Sequence, residues 1–187
     1  MTSDNELINS IRQGDKHACT LLMQAHQEAV FRLAYLFLRN TADADDVAQD
    51  VFIRVYHQLH RFDTNRPFRP WLLHITRNLA LNRQRSLQRR FANWQRLARD
   101  KLPGADVEQQ VIIQHEQDTL LQAVHKLRDI DREVIYLRYF MALSIEETAD
   151  ILQVKPGTVK SRLHRALERL RHLIQDDYPL LMEGRQI

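Results

Sequence analysis

Glycine is scarce in this sequence, with only four in 187 residues, which leaves little material for the tight turns of β-hairpins. Cysteine occurs once, at Cys19, which excludes an internal disulfide framework and favours a reducing compartment. No apolar run approaches the roughly 20 residues of a membrane span, and the N-terminus lacks the basic start and apolar core of an export signal. These absences predict a mostly helical, cytoplasmic protein that is neither exported nor inserted in a membrane.

Positive charge is concentrated in two parts of the chain, although the formal net charge is only +3. Residues 66–101 contain ten Lys or Arg against one acid, Asp100, and residues 155–172 contain six against Glu168 alone. Such blocks suit a polyanion, whereas a single block is more simply the solvated face of a helix. Two blocks at motif positions favour a nucleic acid as the partner.

Capping residues and a 3.6-residue apolar period predict helices along the first part of the chain. A capping box formed by Ser3 and Glu6 starts a short helix that Gly14 ends. A longer helix follows and ends near residue 40. There we expect Thr41 and Asp43 to cap a third helix.

That third helix is predicted to end near Leu59. Residues 62–70 contain two prolines and are expected to form a loop. The apolar period starts again at Trp71, which begins the fourth helix. These four helices predict a compact helical domain.

The apolar period weakens between about residues 89 and 114, where Pro103-Gly104 breaks any helix. It returns in four segments: residues 120–127, residues 131–140, residues 144–152 and the helix beyond Pro156-Gly157. We therefore predict an all-α protein with two small helical domains, residues 1–90 and 117–187. A flexible linker, residues 91–116, is expected to join them.

The segment from Ser144 to Ile174 has the residue pattern of a helix-turn-helix. Ser144 and Glu147 form a capping box at the start of its first helix. A turn over residues 155–157 follows, and Thr158 is the expected cap of the second helix. This segment is the strongest indication of DNA binding in the chain.

The last helix separates into two faces when it is projected at 3.6 residues per turn. The apolar face, which should pack inward, comprises Val159, Leu163, Ala166, Leu170 and Ile174. The polar face comprises Ser161, His164, Arg165 and Glu168, flanked by Lys160 and Arg171. Recognition helices contact bases from their first turns, so the polar face is the predicted reading surface. The simpler alternative is a basic surface helix with ion pairs such as Arg165 with Glu168.

Four carboxylates cluster where the third helix begins: Asp43, Asp45, Asp46 and Asp50. Capping alone suffices to explain them, because the unpaired amides and the helix dipole favour acids at this position. The alternatives are a metal site, a general acid of the DxDD terpene-cyclase type, or an acidic docking surface for another protein. Neither matching metal ligands nor a deep apolar pocket is evident in the sequence, so no metal, cofactor or catalysis is expected.

The helix predicted from Trp71 carries a polar stripe at helical spacing, made by His74, Asn78, Asn82 and Arg85. Amide side chains hydrogen-bond base edges well, and four nearby arginines suit phosphates: Arg66, Arg69, Arg77 and Arg83. Three aromatic residues near the loop are expected to pack in the core rather than stack on bases: Phe62, Phe68 and Trp71.

Three motifs of the chain occur together in one protein family. The first is Asp46, Gln49, Asp50 and Phe52; the second, Phe-x-x-Trp-Leu-x-x-Ile-x-x-Asn, runs from Phe68 to Asn78. The third leads from Arg132-Glu-Val and Leu137-Arg-Tyr-Phe140 into GTVKSRLHRA, residues 157–166. Across roughly residues 14–174 the sequence therefore resembles the extracytoplasmic-function (ECF, group IV) sigma factors of bacterial RNA polymerase.

The resemblance implies a transcription initiation factor whose partners are core RNA polymerase, promoter DNA and an anti-sigma factor. Residues 1–90 would form the region 2 domain, which binds the clamp of the largest polymerase subunit and captures the melted −10 element. Residues 117–187 would form the region 4 domain, which reads the −35 element. A helix-turn-helix regulator that acts without core polymerase is the main alternative, although it leaves the N-terminal half without a role.

Residue roles follow from the resemblance together with the stripe and the reading face. Core polymerase binding is expected at Asp46, Gln49 and Asp50. Binding of −10 DNA is expected at Arg66, Arg69, Arg77, Asn78, Asn82 and Arg85, with the Asp63–Arg69 loop and Asn78 holding a flipped base. Binding of −35 DNA is expected at Lys160, Ser161, His164 and Arg165.

Three positions depart from the family pattern. Arg128 stands where many members have proline, Ala142 stands where glycine is common, and Thr148 stands where an aliphatic residue often follows Glu-Glu. They affect a helix start and a packing contact, so we expect them to lower local stability rather than to change function.

Overall fold

The computed structural model describes residues 3–101 and 118–177, and the side chains of residues 3–94 and 120–177. Every regular element in these ranges is helical. The chain divides into two compact units, Met1–Ala105 and Asp106–Ile187. The predicted all-α fold with two helical parts is confirmed. Pro103-Gly104, the predicted break, lies outside the described residues.

The N-terminal unit contains four α-helices and one short 3₁₀ turn within its described residues. In chain order they are α1 (Asp4–Arg12), α2 (Lys16–Leu38), α3 (Thr41–Gln58), the 3₁₀ turn (Leu59–Arg61) and α4 (Phe68–Lys101). Helices α2, α3 and α4 pack on one another, and α1 packs on α2. The centre of this core is fully buried and aliphatic: Val30, Leu33, Val51, Leu72 and Leu73.

The cap at the start of α1 is the one that the sequence predicted, whereas the cap at the start of α3 is not. Ser3 Oγ accepts a hydrogen bond from the Glu6 amide at 3.3 Å, and a Glu6 carboxylate oxygen accepts one from the Ser3 amide at 2.8 Å, as predicted. These bonds hold the pKa of Glu6 below its ordinary value. The prediction that Thr41 and Asp43 cap α3 was wrong. The Asn40 side chain caps it, accepting from the Asp43 amide at 3.0 Å.

Helix α4 is longer at both ends than the sequence predicted. It begins at Phe68 rather than Trp71, because Pro70 is tolerated in a first turn whose amides have no helical partners. It continues to Lys101, so residues 91–101 of the predicted linker are helical. The loop before α4 is accordingly confined to residues 62–67.

The three aromatic residues beside that loop form one cluster, as predicted for a core role. The ring centroids of Phe62 and Trp71 lie 4.8 Å apart, and Phe68 is within 5.7 Å of both. Phe62 and Phe68 are buried, while Trp71 is half-buried. The cluster therefore anchors both ends of the loop to the core.

The C-terminal unit contains α5 (Asp118–Lys126), α6 (Asp129–Ile135), a π-helical turn (Tyr136–Phe140), α7 (Ile145–Leu152) and α8 (Pro156–Asp177). Helices α7 and α8 form the helix-turn-helix. The capping box of Ser144 and Glu147 is present, with bonds of 3.0 and 2.7 Å. The prediction that Thr158 caps α8 was wrong. Helix α8 begins at Pro156, whose ring suits a first helical turn, after Gln153 ends α7 at φ 54°.

Thr148, one of the departures from the family pattern, is fully buried, and its hydroxyl has no hydrogen-bond partner among the described residues. Burying an unsatisfied hydroxyl costs free energy, so Thr148→Val should raise the free energy of unfolding by about 1 kcal/mol. Thr76→Val is the matched control, since the equally buried Thr76 hydroxyl donates to the Leu72 carbonyl at 2.9 Å. Urea unfolding of the full chain should show a higher free energy of unfolding for Thr148→Val and a lower one for Thr76→Val. Equal losses would contradict the prediction.

Ala142, a second departure, lies in the left-handed backbone region at φ 52°. A side chain there is strained, and glycine is not, so Ala142→Gly should stabilise the chain by about 1 kcal/mol. Ala92→Gly serves as the control, because this exposed position of α4 is helical and glycine should cost about 1 kcal/mol there. Thermal unfolding of both variants checks the opposite signs. Destabilisation by Ala142→Gly would show that the backbone strain is absent.

Candidate nucleic-acid and polymerase interfaces

Helix α8 presents the two faces that the sequence predicted. Val159, Ala166 and Leu170 are buried, and Leu163 and Ile174 are half-buried against the rest of the unit. The six residues of the polar face are all exposed: Lys160, Ser161, His164, Arg165, Glu168 and Arg171. The predicted −35 residues are therefore brought together on the outer side of a recognition-type helix.

The first arginine of the polar face bonds to the backbone of its own helix. Arg165 Nε donates to the Ser161 carbonyl at 3.1 Å, and no described residue forms an ion pair with it. Glu168 instead lies 3.4 Å from His164 Nδ1. The alternative of an Arg165–Glu168 ion pair is therefore not what the structure contains.

A buried carboxylate fixes α8 to the neighbouring helix of its unit. Asp131 is 2% exposed, and both Arg169 of α8 and Arg128 hydrogen-bond to it. Arg128, the third departure from the family pattern, thus contributes an ion pair of 3.2 Å at the start of α6. The contact between Arg169 and Asp131 therefore links α8 to α6 and helps to hold the orientation in which α8 presents its outer face.

The acidic start of α3 divides into a paired part and an exposed part. Arg83 of α4 donates to Asp43 at 2.6 and 2.9 Å and to Asp46 at 3.2 Å. The hydrogen bond with Asp43, together with the charges of Asp46 and Asp50, raises the pKa of the guanidinium above its ordinary value. Arg83 thus tethers α3 to α4 rather than remaining available for phosphate. The described residues contain no group of three or more acids, His or Cys placed to hold a metal ion.

The outer side of α3 combines carboxylates with exposed apolar side chains. Asp46, Gln49 and Asp50, the predicted core-binding residues, are exposed along it. Between α2 and α3 runs a groove of about 1080 Å³, whose lining includes Gln49, Ile53 and Tyr56. Ile53 and Tyr56 are each 58% exposed, which is unusual for large apolar residues. These two residues were not predicted from the sequence, although their spacing of three places them on one helical face.

Half-buried Cys19 also lines this groove, and burial raises the pKa of its thiol. A thiol held in its protonated form is a poor nucleophile and a poor metal ligand. Cys19 therefore contributes packing surface to the groove rather than a reactive thiolate.

The predicted −10 residues lie along α4 and in the loop before it. Asn78 is hydrogen-bonded at both ends of its amide: Arg77 donates to its oxygen at 3.1 Å, and its nitrogen lies 3.0 Å from His74 Nε2. Asn82 and Arg85 are exposed further along the same face. The stripe is therefore a continuous polar surface, with Asn78 held in a defined orientation.

The loop before α4 is a tight turn built on Asp63. The Asp63 side chain accepts from the Asn65 amide at 3.0 Å, and its carbonyl accepts from the Arg66 amide at 3.0 Å. Arg66 is exposed and Arg69 is half-buried in the first turn of α4. The loop therefore precedes the stripe directly and has a defined conformation.

The geometry describes a helical DNA-binding protein in which a helix-turn-helix unit accompanies a second helical unit with a polar stripe and an acidic helix. Residues 22–90 match the family described as Sigma-70 region 2, and residues 117–170 match Sigma-70, region 4. The chain is 34% identical to the ECF RNA polymerase sigma factor SigW of Bacillus subtilis over 90% of its own length and 95% of that protein. It belongs to the ECF sigma factors of RNA polymerase.

Two solved structures resemble this chain in fold. CnrH, solved in complex with the cytosolic domain of CnrY, is 31% identical in sequence to this chain. The two align with a TM-score of 0.68 over 93% of this chain and 98% of that one. The sigma factor RpoE of Bartonella quintana, in complex with the anti-sigma factor NepR, has a TM-score of 0.61 over 84% of this chain and 97% of that one. At 22% identity, the second comparison supports the fold alone. None of the helices in the described part of the chain is long and apolar enough to cross a membrane.

Proposed function

We propose that this chain binds core RNA polymerase and directs promoter-specific initiation by recognising −35 and −10 elements and assisting DNA melting. One observation carries the proposal: both family regions match, and each corresponds to a helical unit with its own exposed polar surface. A regulator without polymerase binding would need only the helix-turn-helix. The region 2 match therefore favours the sigma factor over that alternative.

Each surface takes one part of this function. Core polymerase docks on three exposed residues of α3, Asp46, Gln49 and Asp50, next to the apolar groove. The −10 contacts fall on Arg66, Arg69, Arg77, Asn78, Asn82 and Arg85, with the Asp63 turn and Asn78 holding an extruded base. The −35 contacts fall on Lys160, Ser161, His164 and Arg165. Helix side chains read base edges in the major groove of duplex DNA. An extruded base is instead held in a pocket of the protein, which hydrogen-bonds its Watson–Crick edge.

An anti-sigma factor is proposed as the regulatory partner. The similar protein CnrH was solved in complex with the cytosolic domain of CnrY, and the match covers 93% of this chain. A protein that covers the α2–α3 groove would bury the exposed Ile53 and Tyr56 and would compete with polymerase for α3. Inhibition by occlusion follows from that overlap.

In vitro transcription with purified core polymerase on a library of genomic fragments tests the proposal and reveals the promoter. The chain should convert core polymerase, which starts at no defined site, into an enzyme that starts at a small set of related sequences. Core polymerase alone is the control. Binding of the chain to the same DNA without core, and no change in transcription with it, would favour the simple regulator.

A further inference from the structure

Helix α1 lies N-terminal to the residues that match the region 2 family, yet it contacts the loop of the proposed −10 site. Asn5 Nδ2 donates to the Thr64 carbonyl at 3.0 Å. The Arg12 guanidinium donates to the Leu59 carbonyl at 3.1 Å and to the Phe62 carbonyl. Three backbone carbonyls in and just before the loop are therefore held by two side chains of one helix.

The helix that makes these bonds is itself fixed to the core. Leu7 and Ile8 are buried, and Asp4 lies 3.0 Å from Nε2 of the buried His26. The His26 ring packs edge-on against Phe68, with ring centroids 5.2 Å apart. Phe68 is the first residue of α4, so α1 reaches both ends of the loop, one directly and the other through His26.

We infer that α1 is a brace for the base-capturing loop, with Asn5 and Arg12 as positioning residues for −10 recognition. Neither side chain needs to touch DNA. Loop carbonyls that are held in place keep the Asp63 turn in one conformation, which reduces the ordering that capture of an extruded base requires. This inference rests on the proposed −10 function of the loop.

The test uses three variants of the full chain with core polymerase. Asn5→Ala removes the bond to Thr64 and leaves a good helix former at an exposed position. Arg12→Gln removes the charged fork that holds the other two carbonyls. Asn9→Ala is the matched control, because it makes the same change at an exposed position of α1 whose side chain forms no hydrogen bond with the described residues of the loop.

Two readouts separate positioning from general stability. The first is amide hydrogen exchange at Asn65 and Arg66, whose amides bond to Asp63. The second is the rate of open-complex formation on a promoter selected by the holoenzyme from a randomised library, with each of the four bases at the captured position. Exchange at Leu33, fully buried in α2, reports whether the unit as a whole has been destabilised.

Asn5→Ala should speed exchange in the loop and reduce base discrimination by about two- to tenfold, as expected for one neutral hydrogen bond. Arg12→Gln should reduce it by about tenfold or more, because its bonds are charge-assisted. Exchange at Leu33, binding to core and binding to duplex −35 DNA should remain unchanged, and Asn9→Ala should behave as the parent chain.

Unchanged discrimination and unchanged loop exchange in both Asn5→Ala and Arg12→Gln would overturn the inference, as would an equal loss in Asn9→Ala. Asn78→Ala in the same assays distinguishes this failure from failure of the proposed function. If Asn78→Ala loses discrimination while the α1 variants keep it, the −10 site stands and the brace does not. If all three keep it, the −10 assignment itself is wrong.

Discussion

Asp50→Lys is expected to lower the affinity of the chain for core RNA polymerase by about 30-fold or more. Loss of one partner from a desolvated interfacial charge pair costs about 2–5 kcal/mol, and charge reversal adds repulsion. Asp50 is the cleaner choice for this test, because it is exposed, whereas Asp46 also pairs with Arg83. Asp46→Lys should weaken core binding too and should in addition loosen the contact between α3 and α4. Titration of labelled chain with core polymerase, monitored by fluorescence anisotropy, measures both affinities.

The control for charge alone is Asp176→Lys, which makes the same change at an exposed position near the end of α8. It should leave core affinity within about twofold, since no core contact is assigned to Asp176 and salt screens exposed charges outside an interface. Duplex −35 binding by the Asp50 variant should equal that of the parent chain. If Asp50→Lys binds core as tightly as Asp176→Lys does, α3 is not the docking helix.

Arg165→Ala should weaken binding to the preferred −35 sequence by about 1–3 kcal/mol and relax discrimination at one base pair. The guanidinium lies on the exposed face of α8, in the third helical turn, and its Nε donates to the Ser161 carbonyl. Closed-complex formation should be reduced, and it can be measured by gel shift of holoenzyme on a set of promoters substituted at each −35 position.

Arg171→Ala provides the comparison within the same helix. It also removes an exposed arginine, but from a position too far along α8 for the base contacts that recognition helices make with their first turns. Arg171→Ala is expected to lower the affinity for all substituted promoters by the same factor, as for a phosphate contact. A uniform loss for Arg165→Ala as well would reassign Arg165 to the DNA backbone.

The sequence predicted those features of the fold that depend on neighbours within one or two helical turns. The capping boxes at Ser3 and Ser144 and the two faces of α8 are local patterns, and the structure confirmed them. The wrong caps at α3 and α8 have a local cause as well. Asn40 and Pro156 are also good residues for a helix start, and spacing alone does not choose between adjacent candidates.

Contacts between distant parts of the chain were not predictable in the same way. Arg83 reaches Asp43 across 40 positions, and Asn5 reaches Thr64 across 59. A single sequence shows neither pairing, because no periodicity relates residues on different helices. For this reason Arg83 was assigned to phosphate, and the role of α1 beside the loop was missed. The core-binding, −10 and −35 roles of the remaining residues stay predictions that the variants above test.

Ala142 and Thr148 both precede the reading helix in the sequence, and no DNA contact is assigned to either. If each costs the predicted value of about 1 kcal/mol, together they multiply the fraction of time that the C-terminal unit spends open by roughly 30. Open segments are what cellular proteases cleave, so Ala142→Gly and Thr148→Val are expected to lengthen the survival of the molecule in the cell.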